Sequence, residues 1–258
     1  MSRLRKFYFR HAPLPRLKPG LLIIGAQKCG TTSLAKWLGQ HPSILPPRTK
    51  ELRYFSTDEE YAKGPEWYFS NFPPRPLNPF KKAMSFEATP YLFQPSAPEW
   101  VAATLGPVPK IILLRDPVER AISHYKHSVR KGRETRGVGE AILAELDALQ
   151  GGGSVGSAGT IYVAKGLYIR QIDAWLKHHP AASFLVLKSE DMFKDPLASI
   201  RKCLNFIGLP DSRMDRVQTD AKNVNPRKAD VPQDVRARLA AFYQEPNREL
   251  ASRYGISW

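Results

Sequence analysis

Leu21-Leu22-Ile23-Ile24-Gly25-Ala26, continuing as Gln27-Lys28-Cys29-Gly30-Thr31-Thr32-Ser33, carries the fold of this chain. The apolar run after Pro19-Gly20 reads as a buried strand, and Leu34, Ala35 and Leu38 take up helical spacing just beyond the second glycine. A strand, a glycine turn and a helix N-terminus in that order make an anion cradle, because the first amides of a helix lack intrahelical partners and the helix dipole adds partial positive charge. The spacing Gly25 to Gly30 followed by hydroxyls mimics the nucleotide-binding P-loop, but the lysine expected after the second glycine is missing and Lys28 stands inside the loop. The plain alternative is a structural glycine turn with a surface lysine.

The same grammar returns at Lys110 to Leu114, where a buried-strand run leads into Arg115-Asp116-Pro117 and then Ala121, Ile122, Tyr125 and Val129 at helical spacing. Pro117 suits a first helical turn. Ser183 to Leu187 and, more weakly, Ala83 to Glu87 add strands, while Tyr162 to Lys177 reads as one helix. Strands alternating with helices predict an α/β fold: a P-loop-like parallel sheet flanked by helices on both faces. Pro42 to Arg53 and Asn71 to Phe80 read as proline-rich connections, and Gly151 to Gly159 (GGGSVGSAG) as a mobile loop or a linker. Trp37, Trp67, Trp100 and Trp175 are most simply core.

With 258 residues, 42% of them hydrophobic and 24% charged, one domain over 21–258 with a sizeable core is the economical arrangement, preceded by a basic arm over 1–20. The arm holds Arg3, Arg5, Lys6, Arg10, Arg16 and Lys18 with no acid and no apolar stretch long enough for a secretory signal. No run approaches the roughly 18 apolar residues of a bilayer span. Cys29 and Cys203 stand far apart, against a disulfide scaffold or a cysteine zinc site, and read as thiols of a cytoplasmic protein. The net charge of +15 favours an anionic partner without choosing one, and the arm allows at most peripheral contact with a membrane. Nothing in the sequence bears on the oligomeric state.

Arg115 at a strand end would point a guanidinium into the ligand crevice at the carboxyl edge of the sheet, and Ser123 on the following helix could add a hydroxyl. On its own, Arg115 could equally pair with Asp116 or Glu119. Two cradles on neighbouring strands describe a ligand with two separate phosphate groups.

Lys-x-Gly-Thr-Thr after one strand and Leu-Arg-Asp-Pro-x-x-Arg-x-x-Ser after another resemble the sulfotransferases that use 3'-phosphoadenosine 5'-phosphosulfate (PAPS), and most of all the heparan-sulfate and related carbohydrate branch. Lys50-Glu51-Leu52-Arg53-Tyr54-Phe55 resembles that branch's Glu-x-x-Phe-Phe segment, and Glu87-Ala88-Thr89-Pro90-x-x-Phe93 its Glu-Lys-Thr-Pro-x-Tyr-Phe segment. Leu167-Tyr168 to Trp175-Leu176 and the ending Glu245-Pro246-Asn247 to Trp258 fit as well. The resemblance implies that Lys28, Cys29, Gly30, Thr31, Thr32 and Ser33 hold the 5'-phosphosulfate, and Arg115 with Ser123 the 3'-phosphate. Arg227 and Lys228, in Asn225-Pro226-Arg227-Lys228, occupy the place of a further PAPS loop. Ala88 replaces a lysine of the animal heparan enzymes, and the family's cysteine pair ahead of the PAPS loop is missing.

Sulfuryl transfer needs an aligned acceptor oxygen or nitrogen, positive charge on the leaving bisphosphate and a base, so the protein mostly positions and neutralises. Lys28 fits the electrophilic role. The resemblance makes Glu51 the base, although it could merely pair with Lys50 and Arg53; His41, His124 and His127 are the other candidates. Arg48, Lys50 and Arg53 surround it as acceptor-binding residues suited to an anionic glycan or small molecule. PAPS is then the sulfuryl donor and PAP (adenosine 3',5'-bisphosphate) the product, with no metal expected. A P-loop nucleotide kinase is the second reading, weakened by the displaced lysine and by Arg115 where a magnesium carboxylate would end the strand. A basic nucleic-acid-binding protein is the third, and lacks any groove-entering or base-stacking motif.

Overall fold

The computed structural model describes residues 15–76, 83–152, 160–211, 214, 217–219 and 231–258. Among these, four parallel strands form one sheet: β1 (Pro19–Gly25), β2 (Ser85–Glu87), β3 (Lys110–Leu114) and β4 (Phe184–Lys188), in the order β2-β1-β3-β4. Leu22 lies opposite Glu87 on one side and Lys110 on the other, and Ile111 pairs with Leu185. Successive side chains of a strand point to opposite faces, so burial of all five β3 residues means that both faces are covered. The helices along the chain are α1 (Thr31–Leu38), α2 (Asp58–Tyr61), α3 (Gly64–Ser70), α4 (Ala97–Leu105), α5 (Pro117–Arg130) and α6 (Val138–Gln150). After them come α7 (Tyr168–Leu176), α8 (Ser189–Lys194), α9 (Pro196–Phe206) and α10 (Gln233–Tyr254).

The strand order positions the site. From β1 the chain goes to one side for β2 and returns to the other side for β3, so the two directions part between the carboxyl ends of β1 and β3. In open parallel sheets that is where ligands bind. Gly25 and Leu114 both end there, so the two phosphate motifs of the sequence share one crevice.

The four strands and the helices read after Gly30 and after Asp116 fall within a residue or two of their expected places, and the third expected helix does not. The expected helix over 162–177 begins only at Tyr168, after a single 3-10 turn at Ala164–Gly166. A buried carboxylate takes the backbone out of helix: Glu145 of α6 accepts the amides of Tyr162 at 2.5 Å and Ala164 at 2.8 Å. Tyr243 of α10 donates to the Val163 carbonyl at 2.7 Å, and its hydroxyl lies only 2.6 Å from where a Cβ at Gly166 would stand. This segment, with α5, α6 and α10, forms a second apolar core around Ile142, Tyr162, Leu239 and Tyr243. Part of the 1–20 segment belongs to the fold: the Leu17 amide donates to the Pro73 carbonyl at 2.9 Å, and β1 opens at Pro19. Of the glycine-rich stretch after α6, residues 153–159 lie outside the described residues. Trp37 and Trp175 are fully buried, and Trp67 and Trp100 pack on the main core.

Candidate active site

The glycine loop between β1 and α1 is held in a conformation few sequences tolerate. Gly30, the N-cap of α1, has φ 94°, and a Cβ there would lie 2.9 Å from Met192 Cε and Phe193 Cε2 of α8. Lys28 also adopts a left-handed φ of 74°, unusual for a side chain with a Cβ. The Ser189 hydroxyl donates to the Cys29 carbonyl at 2.8 Å and pins the loop to the start of α8. No side chain caps α1, which leaves its first amides, at the end of the glycine loop, without a side-chain acceptor. Thr32 is exposed there, whereas Thr31 and Ser33 are buried. The Cys29 side chain turns inward, with Sγ 3.7 Å from the Tyr168 hydroxyl and the thiol pushed up to about 11 by burial. Its part in any ligand contact is therefore played by the backbone.

At the end of β3, Asp116 caps α5, its Oδ1 accepting from the amides of Val118 at 2.8 Å and Glu119 at 3.2 Å. That carboxylate serves the helix. Arg115 is held through its backbone: its carbonyl accepts from Tyr168 at 2.9 Å, and the next amide donates to Glu190 at 3.0 Å. Its guanidinium is 3.8 Å from Glu119, which also pairs with Arg236 of α10. The pairing raised against Arg115 from sequence thus exists, but it is long and shared. Ser123 lies half-buried on α5. Lys28 is drawn below the ordinary lysine range by burial first and then by Arg130 and Arg115, while Cys29 and Glu51 act the other way. Cations from the glycine loop, the β3 end and the last turn of α5 therefore crowd together, an arrangement that an anion would relieve.

Beside the loop opens a cavity of about 390 Å³. One wall is Ala26 and Gln27; the other carries Glu51 and Arg53, with Thr89, Phe93 and Arg133 nearby. Glu51 and Arg53 have φ of 60° and 61°, so the turn that presents them is strained twice. The Glu51 carboxylate accepts from Lys50 Nζ at 2.5 Å and lies 3.7 Å from Arg53. The pairing with basic neighbours foreseen in the sequence is present, yet Glu51 still faces the cavity. Arg53 lines it too; Lys50 reaches Glu51 and not the cavity wall, and Arg48 is exposed away from it.

The histidines separate. His41 has both ring nitrogens engaged, Nε2 with the Pro210 carbonyl at 2.9 Å and Nδ1 accepting the Ser43 amide at 3.1 Å, so it is structural. His124 lines the cavity but is buried and pushed down to about 2, by burial first and then by Lys165 and Arg120, so it stays neutral. His127 also lines the cavity, 2.9 Å from Arg130. Arg227 and Lys228 lie outside the described residues.

Lys165 escaped the sequence reading. It falls within the segment expected as one helix; the 3-10 turn there brings its Nζ to 3.2 Å from Gln27 Oε1, over the Phe93 ring and into the cavity wall. Burial first, then Arg120, lowers it to about 8, against the pull of Glu145. Only the displaced helix start reveals it.

Residues 18–242 match the sulfotransferase domain family model. The chain is 28% identical over 195 residues to the mouse heparan sulfate glucosamine 3-O-sulfotransferase 5, a match covering 74% of this chain and 54% of the relative. The chain thus spans about half the length of that curated relative. A sulfotransferase from Alicyclobacillus acidocaldarius superposes with a TM-score of 0.75 at 28% identity, covering 93% of this chain and 97% of that one. Mouse sulfotransferase SULT7A1, solved with PAP, shares the fold at 17% identity and a TM-score of 0.52, covering 99% of this chain and 81% of that one.

The curated relatives overturn the cytoplasmic placement. The mouse enzyme and others like it are named for heparan sulfate, whose sulfotransferases act in the Golgi lumen. The thiols behind that placement are both free and buried, and a shielded lone thiol reports nothing about its compartment. Among the described residues no helix is long and apolar enough to cross a membrane. With the family model covering most of the chain, and with the curated mouse relative named for heparan sulfate, the chain belongs to the sulfotransferase family of PAPS-dependent enzymes.

Proposed function

We propose that this chain moves a sulfuryl group from PAPS to a hydroxyl or amine of a carbohydrate or glycolipid acceptor by in-line displacement, with Glu51 as the base. The observation that carries the reading is the contiguity of two unlike surfaces: the cation-rich glycine loop and the cavity holding Glu51 share Ala26 and Gln27 as a wall. Lys28, Arg115 and the open N-terminus of α1 suit the anionic donor, with Thr31, Thr32 and Ser123 as hydroxyl partners. Lys28 supports the charge that develops as the bisphosphate leaves. Glu51 takes the acceptor's proton, and the release of Lys50 to a ligand phosphate or sulfate would free its carboxylate to do so. Arg53, Arg133 and Lys165 around the cavity favour an acceptor that already carries negative charge. Asp116, engaged as a helix cap, gives the kinase reading no carboxylate at the strand end.

The test is transfer from labelled PAPS across a panel of desulfated, partly sulfated and lipid-linked glycans. Glu51→Gln, which keeps shape and removes the proton acceptor, should lower turnover by about 100- to 10,000-fold on the best acceptor. Parent-like turnover in that variant would remove Glu51 from the chemistry and turn attention to His127.

A further inference from the structure

Glu87, the last residue of β2, is fully buried in register with Leu22 of β1. Its carboxylate accepts three hydroxyls: Tyr68 on Oε2 at 2.5 Å, Tyr91 on Oε1 at 2.5 Å and Thr89 on Oε1 at 2.8 Å. Burial raises its pKa, and the three donors oppose that rise. A carboxylate withdrawn from water and surrounded by hydroxyls is costly to build, so what it holds in place matters.

All three donors touch the Lys50–Phe55 loop. The Arg53 amide donates to Thr89 Oγ1 at 3.4 Å and the Phe55 amide to the Tyr91 hydroxyl at 3.4 Å. Tyr68 stacks on Tyr54 with ring centroids 4.6 Å apart. Because Thr89 and Tyr91 give their protons to Glu87, their lone pairs are left facing the loop amides; without the carboxylate those hydroxyls can rotate and the amides lose their acceptors. The loop so gripped is the one with left-handed backbone at both Glu51 and Arg53, a conformation that persists only where the surroundings over-determine it.

We propose that Glu87 is a positioning residue: through Thr89, Tyr91 and Tyr68 its carboxylate holds the Lys50–Phe55 loop in the strained turn that presents Glu51 to the acceptor cavity. This rests on Glu51 being the base. The network ties that loop to the sheet, since Glu87 pairs with β1 three residues before Gly25, and so sets the base against the same strand that ends in the glycine loop.

Glu87→Gln, Tyr91→Phe, Glu51→Gln and the double variant Glu51→Gln/Glu87→Gln, each with parent-like circular dichroism, decide it by steady-state kinetics and calorimetry with PAP. Glu87→Gln should lower kcat by about 10- to 100-fold, the cost of a misplaced catalytic group, with PAP affinity unchanged. In the Glu51→Gln background the same change should cost nothing further, because a loop without its base has nothing left to aim. A merely structural role would instead add its loss to that of Glu51→Gln, and that additivity would overturn the proposal. Should Glu87→Gln fail to fold, Tyr91→Phe is read by the same criteria, with a smaller loss. A crippled Glu51→Gln beside an unaffected Glu87→Gln sinks this inference alone; a parent-like Glu51→Gln sinks the base assignment and this inference with it.

Discussion

The glycine loop and the Lys50–Phe55 loop face the same crevice, and each bends its backbone into the left-handed region, at Lys28 and Gly30 in one and at Glu51 and Arg53 in the other. They are supported differently. The first is framed by what lies next to it: the end of β1, the start of α1, and Met192, Phe193 and Ser189 closing on Gly30 and Cys29. The second is propped by side chains from α3, β2 and the segment after β2, gathered on one buried carboxylate. A loop made from backbone amides at a helix start can grip any phosphate-bearing donor, whereas a loop held by distant side chains can be re-aimed by changing them. On the proposed function, donor binding belongs to the architecture and acceptor chemistry to the packing around Glu87.

The comparison can be broken first at Lys28. Lys28→Ala should cut turnover by about 100- to 1000-fold, the worth of a charge donor that acts in the transition state, while acceptor KM stays near that of the parent. Steady-state kinetics check this, and an unchanged kcat would detach the glycine loop from catalysis. Next comes Arg115→Ala, expected to weaken PAP by roughly 10- to 100-fold, as for a lost charge-assisted hydrogen bond, with little effect on kcat at saturating donor. The smallest effect sharpens the boundary between the two loops at Lys165. Lowered to about 8, it is charged below that pH and neutral above it, so apparent affinity for an anionic acceptor should fall by up to about fivefold as pH rises through 8. Lys165→Arg keeps its charge and should flatten that limb of the pH profile of acceptor KM.

The half of the site next to the sheet was open to sequence reasoning, because its signals are local. Apolar runs bounded by glycine gave β1, Pro117 after Asp116 gave the start of α5, and the hydroxyls after Gly30 marked a helix N-terminus. What the residues did not reveal is made at long range. Glu145 reaching Tyr162 and Ala164 from α6 is a tertiary override that no periodicity betrays, and with the displaced helix went the position of Lys165. His124 read as one of three histidines that could replace Glu51 as base, and only its burial shows why it stays neutral. The +15 charge likewise announced an anionic partner without saying that Lys28, Arg115 and Arg130 would meet; strand order brings them together.

The central claim is that one loop binds the donor and the other acts on the acceptor. Calorimetric titration of PAP into the parent, Arg115→Ala and Glu51→Gln tests it most directly, because it reads donor binding without any acceptor present. Arg115→Ala should bind PAP far more weakly, and Glu51→Gln should bind it like the parent. If Glu51→Gln lost as much affinity as Arg115→Ala, the Lys50–Phe55 loop would be part of the donor cradle, and the division of labour drawn between the two loops would be wrong.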